Sequence, residues 1–369
     1  MTPRELCYNI LHYKPAERLP AVRFGYWPDL LQEWADQGHI THEQASHRFV
    51  AEAELDRLIG WDFPWYCTTA SHMGLYPPFE QKELETLPDG SKRILTAKGV
   101  IERIKPGITS IPSEDDYLMK DREAFETLFK PRMRYVPERT NVDYYTHFNE
   151  RRDPTKPIGI SIGSLMGDIR DMTTVKGMSY LMYDEDEELF AELVDTYADM
   201  QYACVEALLA TGAKYDFAHY WEDICFKNGP LLSPTLFREL CEKHYKKRND
   251  LCHRYGIDII SLDCDGVVDA LLPVWLDSGV NLLFPMEVGV WGDQFAAARR
   301  KYGERILAVG GMDKAVFRKD KAAVDAELER LKPLIAMGGF IPCPDHNILP
   351  GSKFELVQYY VEEIKNIRI

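Results

Sequence analysis

Acidic, thiol and imidazole side chains recur in five short segments of the second half of the chain, each placed where an apolar run ends. The segments are "HYWED", "LDCDG", "PMEVG", "GGMDK" and "IPCPDHN". Carboxylates beside an imidazole can bind a divalent metal ion or exchange protons with a substrate. The residues that could do this chemistry are Glu222, Asp263, Cys264, Asp265, Glu287, Asp313, Cys343, Asp345 and His346.

The elements that must position these residues alternate between short β-branched runs and longer helical stretches from about residue 153 onward. The strand candidates are "KPIGISIG", "YDFAHYW", "IDIISLDC", "NLLFPME", "RILAVGG" and "GFIPC". This alternation predicts a parallel sheet with crossover helices. One or two further strands from the first half, for example "PAVRFG", favour an α/β fold of the (β/α)8 TIM barrel type over an open doubly wound sheet.

The part before the regular repeats, residues 1–152, is irregular in type. We expect it to contribute the first barrel elements together with a helical and hairpin extension. The segment "GSKRILTAKGVIERIKPG", between Gly90 and Gly107, alternates in the manner of a hairpin. Residues 1–369 are therefore predicted to form one barrel domain, with regular βα repeats over residues 153–369.

A TIM barrel carries its active site at the carboxyl ends of its strands, so the five segments should meet at one acidic mouth. At "LDCDG" strand alternation places Asp263 and Asp265 on one side and Cys264 on the other. We favour the aspartates as the pair that faces the site, because two unpaired carboxylates are costly to bury. Alternative roles remain: Asp263 or Asp265 could cap a helix, and His346 could bond a carbonyl.

Charge and composition exclude several classes of partner. Acidic residues outnumber basic ones by 59 to 44, with a formal net charge of -15. Without a Lys/Arg stripe, binding to nucleic acid is not expected. We expect no membrane segment and a cytoplasmic location, because the chain has neither a signal-like start nor a long apolar run. The 8 cysteines form no CxxC pair, so most should be buried apolar groups.

The order of several motifs resembles the uroporphyrinogen decarboxylase superfamily over nearly the whole chain. The motifs are "GISIGSLMGDIRDMTTVKGMSYLMYD", "EDICFKNGPLLSP", "LDCDG", "AVGGMDK" and "GGFIPCPDHNILPG". The superfamily has a (β/α)8 barrel and contains porphyrinogen decarboxylases and zinc-dependent methyltransferases that use a corrinoid protein or a thiol. A true decarboxylase opens with two closely spaced arginines, whereas this chain has Arg23 alone in "LPAVRFGYWPDLL".

The resemblance to the zinc-dependent members implies a metal site with altered ligands. Asp263 and Asp265 fall at the first two ligand positions and His346 at the third, with Glu287 as a further candidate and Glu222, Cys264 and Cys343 ranked lower. Oxygen and nitrogen ligands suit a zinc ion that polarises an ether oxygen better than one that holds a thiolate. Coenzyme M transfer is therefore disfavoured, and the branch resembling aryl methyl ether O-demethylases is favoured.

The resemblance thus implies a methyltransferase that moves a methyl group from a small methoxylated, aromatic donor to a corrinoid supplied by a separate protein. Catalytic roles are predicted for His346, Glu222 and Asp62. Substrate contacts are predicted for Trp61, Phe63, Trp65, Tyr66, Arg23, Met166 and Trp221. Two alternatives stay open: a decarboxylase acting on a porphyrinogen or a smaller carboxylate, and a barrel that binds a corrinoid or tetrapyrrole partner without catalysis. Many relatives are dimers, so a homodimer is one assembly that the resemblance implies.

Overall fold

The structure is a computed structural model that describes residues 1–46, 48–105, 112–183, 187–289, 292 and 294–369, with the backbone alone for residues 48–51 and 187. Its strands, in chain order, are β1 (Val22–Arg23), β2 (Phe63–Pro64), β3 (Thr68–Thr69), β4 (Lys82–Thr86), β5 (Lys92–Leu95), β6 (Val100–Ile104), β7 (Ser113–Tyr117), β8 (Gly159–Ser161), β9 (Phe217–Trp221), β10 (Cys225–Phe226), β11 (Gly229–Pro230), β12 (Ile260–Asp263), β13 (Leu282–Phe284), β14 (Leu307–Met312) and β15 (Phe340–Pro344).

The α-helices, in chain order, are α1 (Pro3–Leu11), α2 (Pro28–Asp36), α3 (His42–Ser46), α4 (Arg48–Ile59), α5 (Arg122–Ala124), α6 (Val142–Thr146), α7 (Phe148–Arg151), α8 (Met166–Tyr183), α9 (Glu187–Ala210), α10 (Pro234–Arg254), α11 (Leu272–Asp277), α12 (Phe295–Tyr302), α13 (Lys321–Ala336) and α14 (Phe354–Asn366). Shorter 3₁₀ or π turns occupy Phe125–Phe129, Lys130–Arg132, Pro137–Arg139, Gly303–Arg305 and Lys314–Arg318. Asp313 caps the last of these by accepting from the Ala315 N–H at 2.9 Å. No helix in the described part of the chain combines the length and apolar composition needed to cross a bilayer.

A central sheet of parallel strands closes into a barrel. Seven strands pair in the order β15-β14-β13-β12-β9-β8-β3. β1 pairs in parallel with β2, and a parallel bridge between Tyr26 and Ile348 joins the end of β1 to the segment after β15. This is the predicted (β/α)8 TIM barrel, and the strand predictions for the second half of the chain and for "PAVRFG" are confirmed. Strands such as β12 and β14 are buried at every position, as expected for a sheet covered by helices.

Two features of the first half go beyond the sequence prediction. β2 and β3 together form one strand position of the barrel. They lie in the aromatic segment "WDFPWYCTT", which lacks the alternation of apolar and polar residues that is typical of a strand. β2 ends at Pro64, which lacks a backbone donor, and residues 65–67 separate it from β3. The predicted hairpin is present as β5 and β6, extended by β4 and β7 into a four-stranded antiparallel sheet. Its predicted end at Gly107 lies outside the described residues.

Candidate active site

The carboxyl ends of the barrel strands meet around Asp263, the last residue of β12. Asp263 is only 3% exposed, and the Tyr66 hydroxyl, just after β2, donates a hydrogen bond to its Oδ2. Burial raises the pKa of the Asp263 carboxyl well above its usual value, and the nearby charges of Asp265 and Glu287 raise it further. Burial disfavours the charged form and like charges add to that effect. These surroundings therefore favour the protonated form of the Asp263 carboxyl at the centre of the mouth.

Asp265 and His346 lie next to each other at the rim. His346 Nε2 is 3.5 Å from Asp265 Oδ2, and Asp265 Oδ1 is buried without a hydrogen-bond partner in the described structure. The His346 ring stacks on Phe24, with centroids 4.5 Å apart, and lies 6.3 Å from the ring of Trp27. The structure thus brings the "DHN" histidine to the "LDCDG" carboxylates and encloses it with aromatic rings.

A lysine bridges two carboxylates on the other side of the mouth. Lys314 Nζ lies 3.0 Å from Asp345 Oδ1 and 3.8 Å from Glu287 Oε1. Asp345 Oδ2 also accepts from the N–H groups of Val288 and Gly289, at 2.9 and 3.0 Å. Asp345 is fully buried and satisfied by these contacts, so its role is to fix the loop that carries Glu287.

Glu222 does not face the mouth. Its carboxylate accepts from the N–H groups of Leu165, Met166 and Gly167 at 2.8 to 2.9 Å, and from the hydroxyl of Tyr245. These bonds cap the start of α8, where backbone donors have no partner within the helix. The predicted catalytic or ligand role of Glu222 is not supported, because its oxygens are occupied. Met166 is fully buried and supplies its backbone N–H to this cap.

Asp62 and Trp61 lie at the wrong end of their strand for catalysis. They precede β2, so they belong to the amino end of the barrel, opposite the mouth. Asp62 Oδ2 accepts from Arg18 Nη1 and from the Ala21 N–H, both at 2.8 Å. The Trp61 ring lies 6.0 Å from that of Tyr360 in α14. The predicted catalytic and substrate roles of these two residues are corrected to structural ones.

Arg23 also points away from the mouth. Its guanidinium is 2% exposed and pairs with both oxygens of Asp56 in α4, and it lies 5.4 Å from the ring centroid of Tyr26. A buried guanidinium requires such a partner, because an unpaired charge in the interior is costly. The predicted substrate contact of Arg23 is therefore replaced by an ion pair between strand and helix.

The aromatic segment divides between the core and the mouth. Phe63 is fully buried, and Trp65 donates its Nε1–H to Ser261 Oγ at 3.1 Å while stacking on Phe217 at 4.4 Å. Tyr66 is 37% exposed and is the member of the segment that reaches Asp263. Trp65 and Tyr66 lie in the turn after β2 and contact Ser261 and Asp263, which share one face of β12, so Trp65 lies deeper and Tyr66 lies at the mouth.

Trp221 stands at the end of β9, in register with Asp263. It is half-buried, and the guanidinium of Arg170 lies 5.5 Å from its ring centroid. Arg170 also contacts Asp223 Oδ2 at 3.2 Å. The sequence reading missed Phe24 and Arg170. Phe24 could have been found by applying the strand-end rule to "PAVRFG", whereas Arg170 lies within a helix and carried no comparable signal.

The cysteines of the site are buried thiols. Cys264 Sγ accepts from the Ile224 N–H at 3.4 Å, on the opposite side of the chain from Asp263. Burial raises the pKa of both the Cys264 and the Cys343 thiols well above the usual value. Metal ligation requires the thiolate, which these surroundings disfavour.

The zinc prediction can be compared with the positions of the predicted ligands. Over the described ranges, no three His, Cys, Asp or Glu side chains are grouped so that they could hold a metal ion. Asp265 and His346 approach each other, whereas Asp263 is bonded to Tyr66 and Glu287 lies beside Lys314. This arrangement does not fit a three-ligand zinc site. The residues at the mouth instead suit proton transfer.

Comparisons with known proteins give the family. Residues 161–367 match the model of the uroporphyrinogen decarboxylase (URO-D) family. A methyltransferase from Methanosarcina mazei is 16% identical, with a TM-score of 0.57, and the alignment covers 99% of this chain and 98% of that one. A Listeria monocytogenes protein assigned as a vitamin-B12 independent methionine synthase is 12% identical over 61% of this chain and 68% of that one, with a TM-score of 0.37. A search of curated proteins found no match. The chain therefore belongs to the URO-D family and has its barrel fold.

Proposed function

We propose that this chain is a methyltransferase that moves a methyl group from a small methoxylated aromatic compound to a corrinoid carried by a separate protein. The family and the fold shared with a methyltransferase support this class of reaction. The observation that carries the proposal is Asp263, a buried carboxylic acid with a raised pKa at the centre of the barrel mouth.

Cleavage of an aryl methyl ether demands a proton at the leaving oxygen. The bond between the methyl carbon and the oxygen breaks, and the oxygen keeps the electron pair and must be neutralised. Asp263 can give it a proton, and the hydrogen bond from Tyr66 then stabilises the carboxylate that is left. A corrinoid docked over the mouth supplies the nucleophile that accepts the methyl group.

The surrounding residues fit an aromatic donor. Phe24 and Tyr66 meet edge to face, with centroids 5.1 Å apart, and with His346 they form an apolar wall beside the acid. Such surfaces hold aromatic rings through area and quadrupole contacts. The side chains of His346 and Asp265, 3.5 Å apart, are partly exposed, so this pair can return a proton from solvent to Asp263 after each turnover.

The decarboxylase alternative fits the mouth less well. A porphyrinogen carries many carboxylates, whereas the carboxylates of Asp265 and Glu287 make the mouth acidic. Arg23, which occupies the region of the decarboxylase arginines, is paired with Asp56 inside the fold.

The test is to incubate the purified protein with 4-methoxyphenol and reduced cobalamin and to quantify the demethylated phenol and methylcobalamin. We expect equal amounts of both products, and a strong loss of rate in Asp263→Asn. Asp250→Asn, the same change at an exposed position of α10, is the matched control. Absence of both products with a series of methoxyphenols would contradict the proposal. Release of carbon dioxide from a porphyrinogen would favour the decarboxylase, and tight corrinoid-protein binding with neither activity would favour the non-catalytic barrel.

A further inference from the structure

His219 is a buried histidine of the barrel interior to which the reaction above gives no task. It lies in β9, is 2% exposed, and its Nδ1 is 3.0 Å from Ser261 Oγ. Burial lowers the pKa of the imidazole to about 3, so the ring is neutral under ordinary conditions. A neutral imidazole carries one proton, and the hydrogen bonds of its neighbours determine which nitrogen holds it.

The hydrogen bonds of the neighbours are compatible with that proton on Nε2. Trp65 donates its indole N–H to Ser261 Oγ at 3.1 Å, and an indole nitrogen can only donate. The Ser261 hydroxyl is thereby an acceptor toward Trp65 and can direct its own hydrogen to Nδ1 of His219. With Nδ1 acting as the acceptor, Nε2 carries the hydrogen. In the described structure this Nε2 is buried and has no hydrogen-bond partner.

A buried donor without a partner is uncommon in folded proteins and calls for a ligand or another specific reason. Around the His219 ring stand two aromatic rings, Tyr66 at 5.3 Å and Phe284 at 5.9 Å between centroids, both edge to face. Tyr66 is 37% exposed and its hydroxyl is bonded to Asp263. The same tyrosine therefore contacts both the proton donor and the histidine.

The strand register gives the depth of His219 relative to the acid. His219 pairs with Ser261, two residues before Asp263 on β12. Two residues of a strand span about 6 to 7 Å. A ligand with one oxygen at Asp263 and a second oxygen at His219 must therefore hold the two oxygens apart by a distance of this order.

We propose that the Nε2–H of His219 binds a second oxygen of the methyl donor, with the ring of Tyr66 turned aside while its hydroxyl stays bonded to Asp263. The inference rests on the proposed function and narrows it to one substrate class. That class is the methoxyaromatic compounds with a hydroxyl or carboxylate on the far side of the ring, so that the methoxy oxygen lies at Asp263 and the second oxygen at His219. His219 positions the substrate and takes no part in bond breaking.

Two variants separate this role from a merely structural one. The amide nitrogen of glutamine can occupy the place of Nε2, whereas asparagine reaches the place of Nδ1 and can contact Ser261 alone. We expect His219→Asn to lower kcat/KM for 4-methoxyphenol at least tenfold more than for methoxybenzene, which lacks the second oxygen. His219→Gln should recover most of the loss. Equal losses on both substrates, or a glutamine variant no better than the asparagine one, would overturn the proposal.

Binding and tautomer measurements do not depend on methyl transfer. Calorimetry with 4-methoxyphenol should show weaker binding to His219→Asn than to His219→Gln, with unfolding midpoints reported for both variants. NMR of the protein labelled with ¹⁵N-histidine should show His219 as the Nε2–H tautomer. The signals of His219 are assigned by their absence from the spectrum of the His219 variant. If the binding difference is found but no donor is demethylated, the proposed function fails and the binding site stands. If methyl transfer proceeds with no difference between the variants, or if the proton is on Nδ1, the inference about His219 fails.

Discussion

Replacing Asp263 with asparagine should change the pH dependence of stability in a defined direction. Asparagine has nearly the same shape and still offers an oxygen to the Tyr66 hydroxyl, but it cannot ionise. In the wild type, burial and the charges of Asp265 and Glu287 raise the pKa of Asp263 in the folded state. The variant removes that titration and leaves the packing of the mouth in place.

The sign and size of the effect follow from proton linkage. A carboxyl whose folded pKa is above its unfolded value, about 3.9, stabilises the fold fully below the unfolded pKa. That stabilisation is lost as the pH rises toward the folded pKa, by up to about 1.4 kcal/mol per pH unit. As the pH rises above the unfolded pKa the wild type should lose stability through Asp263, whereas Asp263→Asn loses none of it.

The assay is urea unfolding followed by tryptophan fluorescence at several pH values above the unfolded pKa, for the wild type, Asp263→Asn and the exposed control Asp250→Asn. The free energy of unfolding of Asp263→Asn should rise relative to the wild type as the pH increases, and the control should run parallel to the wild type. A constant difference, or one that shrinks with rising pH, would show that Asp263 is ionised in the folded protein and would refute the reasoning.

Three further outcomes are expected. Arg23→Met should destabilise the fold by about 3 to 5 kcal/mol because it leaves Asp56 unpaired, and adding Asp56→Leu should restore most of the lost stability. A large rise in KM at unchanged stability would instead indicate that Arg23 contacts the substrate. Glu222→Ala should lower the thermal unfolding midpoint, because the backbone donors at the start of α8 lose their acceptor. An unchanged midpoint with lost activity would instead indicate a catalytic role for Glu222. Added zinc should shift the unfolding midpoint little, because Asp265 and His346 are the only adjacent pair among the predicted ligands. Stoichiometric zinc that resists chelation would instead support the ligand set predicted from the sequence.

The fold could be predicted from the sequence where strand and helix periods are regular. The alternation from residue 153 onward and the run "PAVRFG" mark strands that the structure contains. The strand position formed by β2 and β3 could not be recognised in this way, because Pro64 and the consecutive aromatic residues interrupt the alternation of apolar and polar residues. The antiparallel strands β4 and β7 flank the predicted hairpin, and their charged composition gave no strand signal.

The candidate site could be predicted as a set of strand ends but not as a set of side-chain contacts. The rule that barrel strands end at one mouth brought together Asp263, Asp265 and His346. Glu222 directly follows β9, yet its carboxylate accepts from backbone donors at the start of α8, which lie far from it in sequence. Asp62 was wrongly predicted to lie at the mouth because β2 was not recognised as a strand. Without β2, the sequence does not show that Asp62 precedes the amino end of that strand.

The central claim is that Asp263 gives a proton to the leaving oxygen, and the dependence of the rate on the leaving group tests it most directly. Methyl transfer to reduced cobalamin would be measured for methoxybenzenes whose phenols span a wide range of acidity, with the wild type and with Asp263→Asn. The rate of the wild type should depend only weakly on leaving-group acidity. The variant should lose about 10² to 10⁴ in rate with the least acidic phenol and much less with a nitrophenol, which leaves without a proton. An equal loss across the series, or no loss, would contradict it.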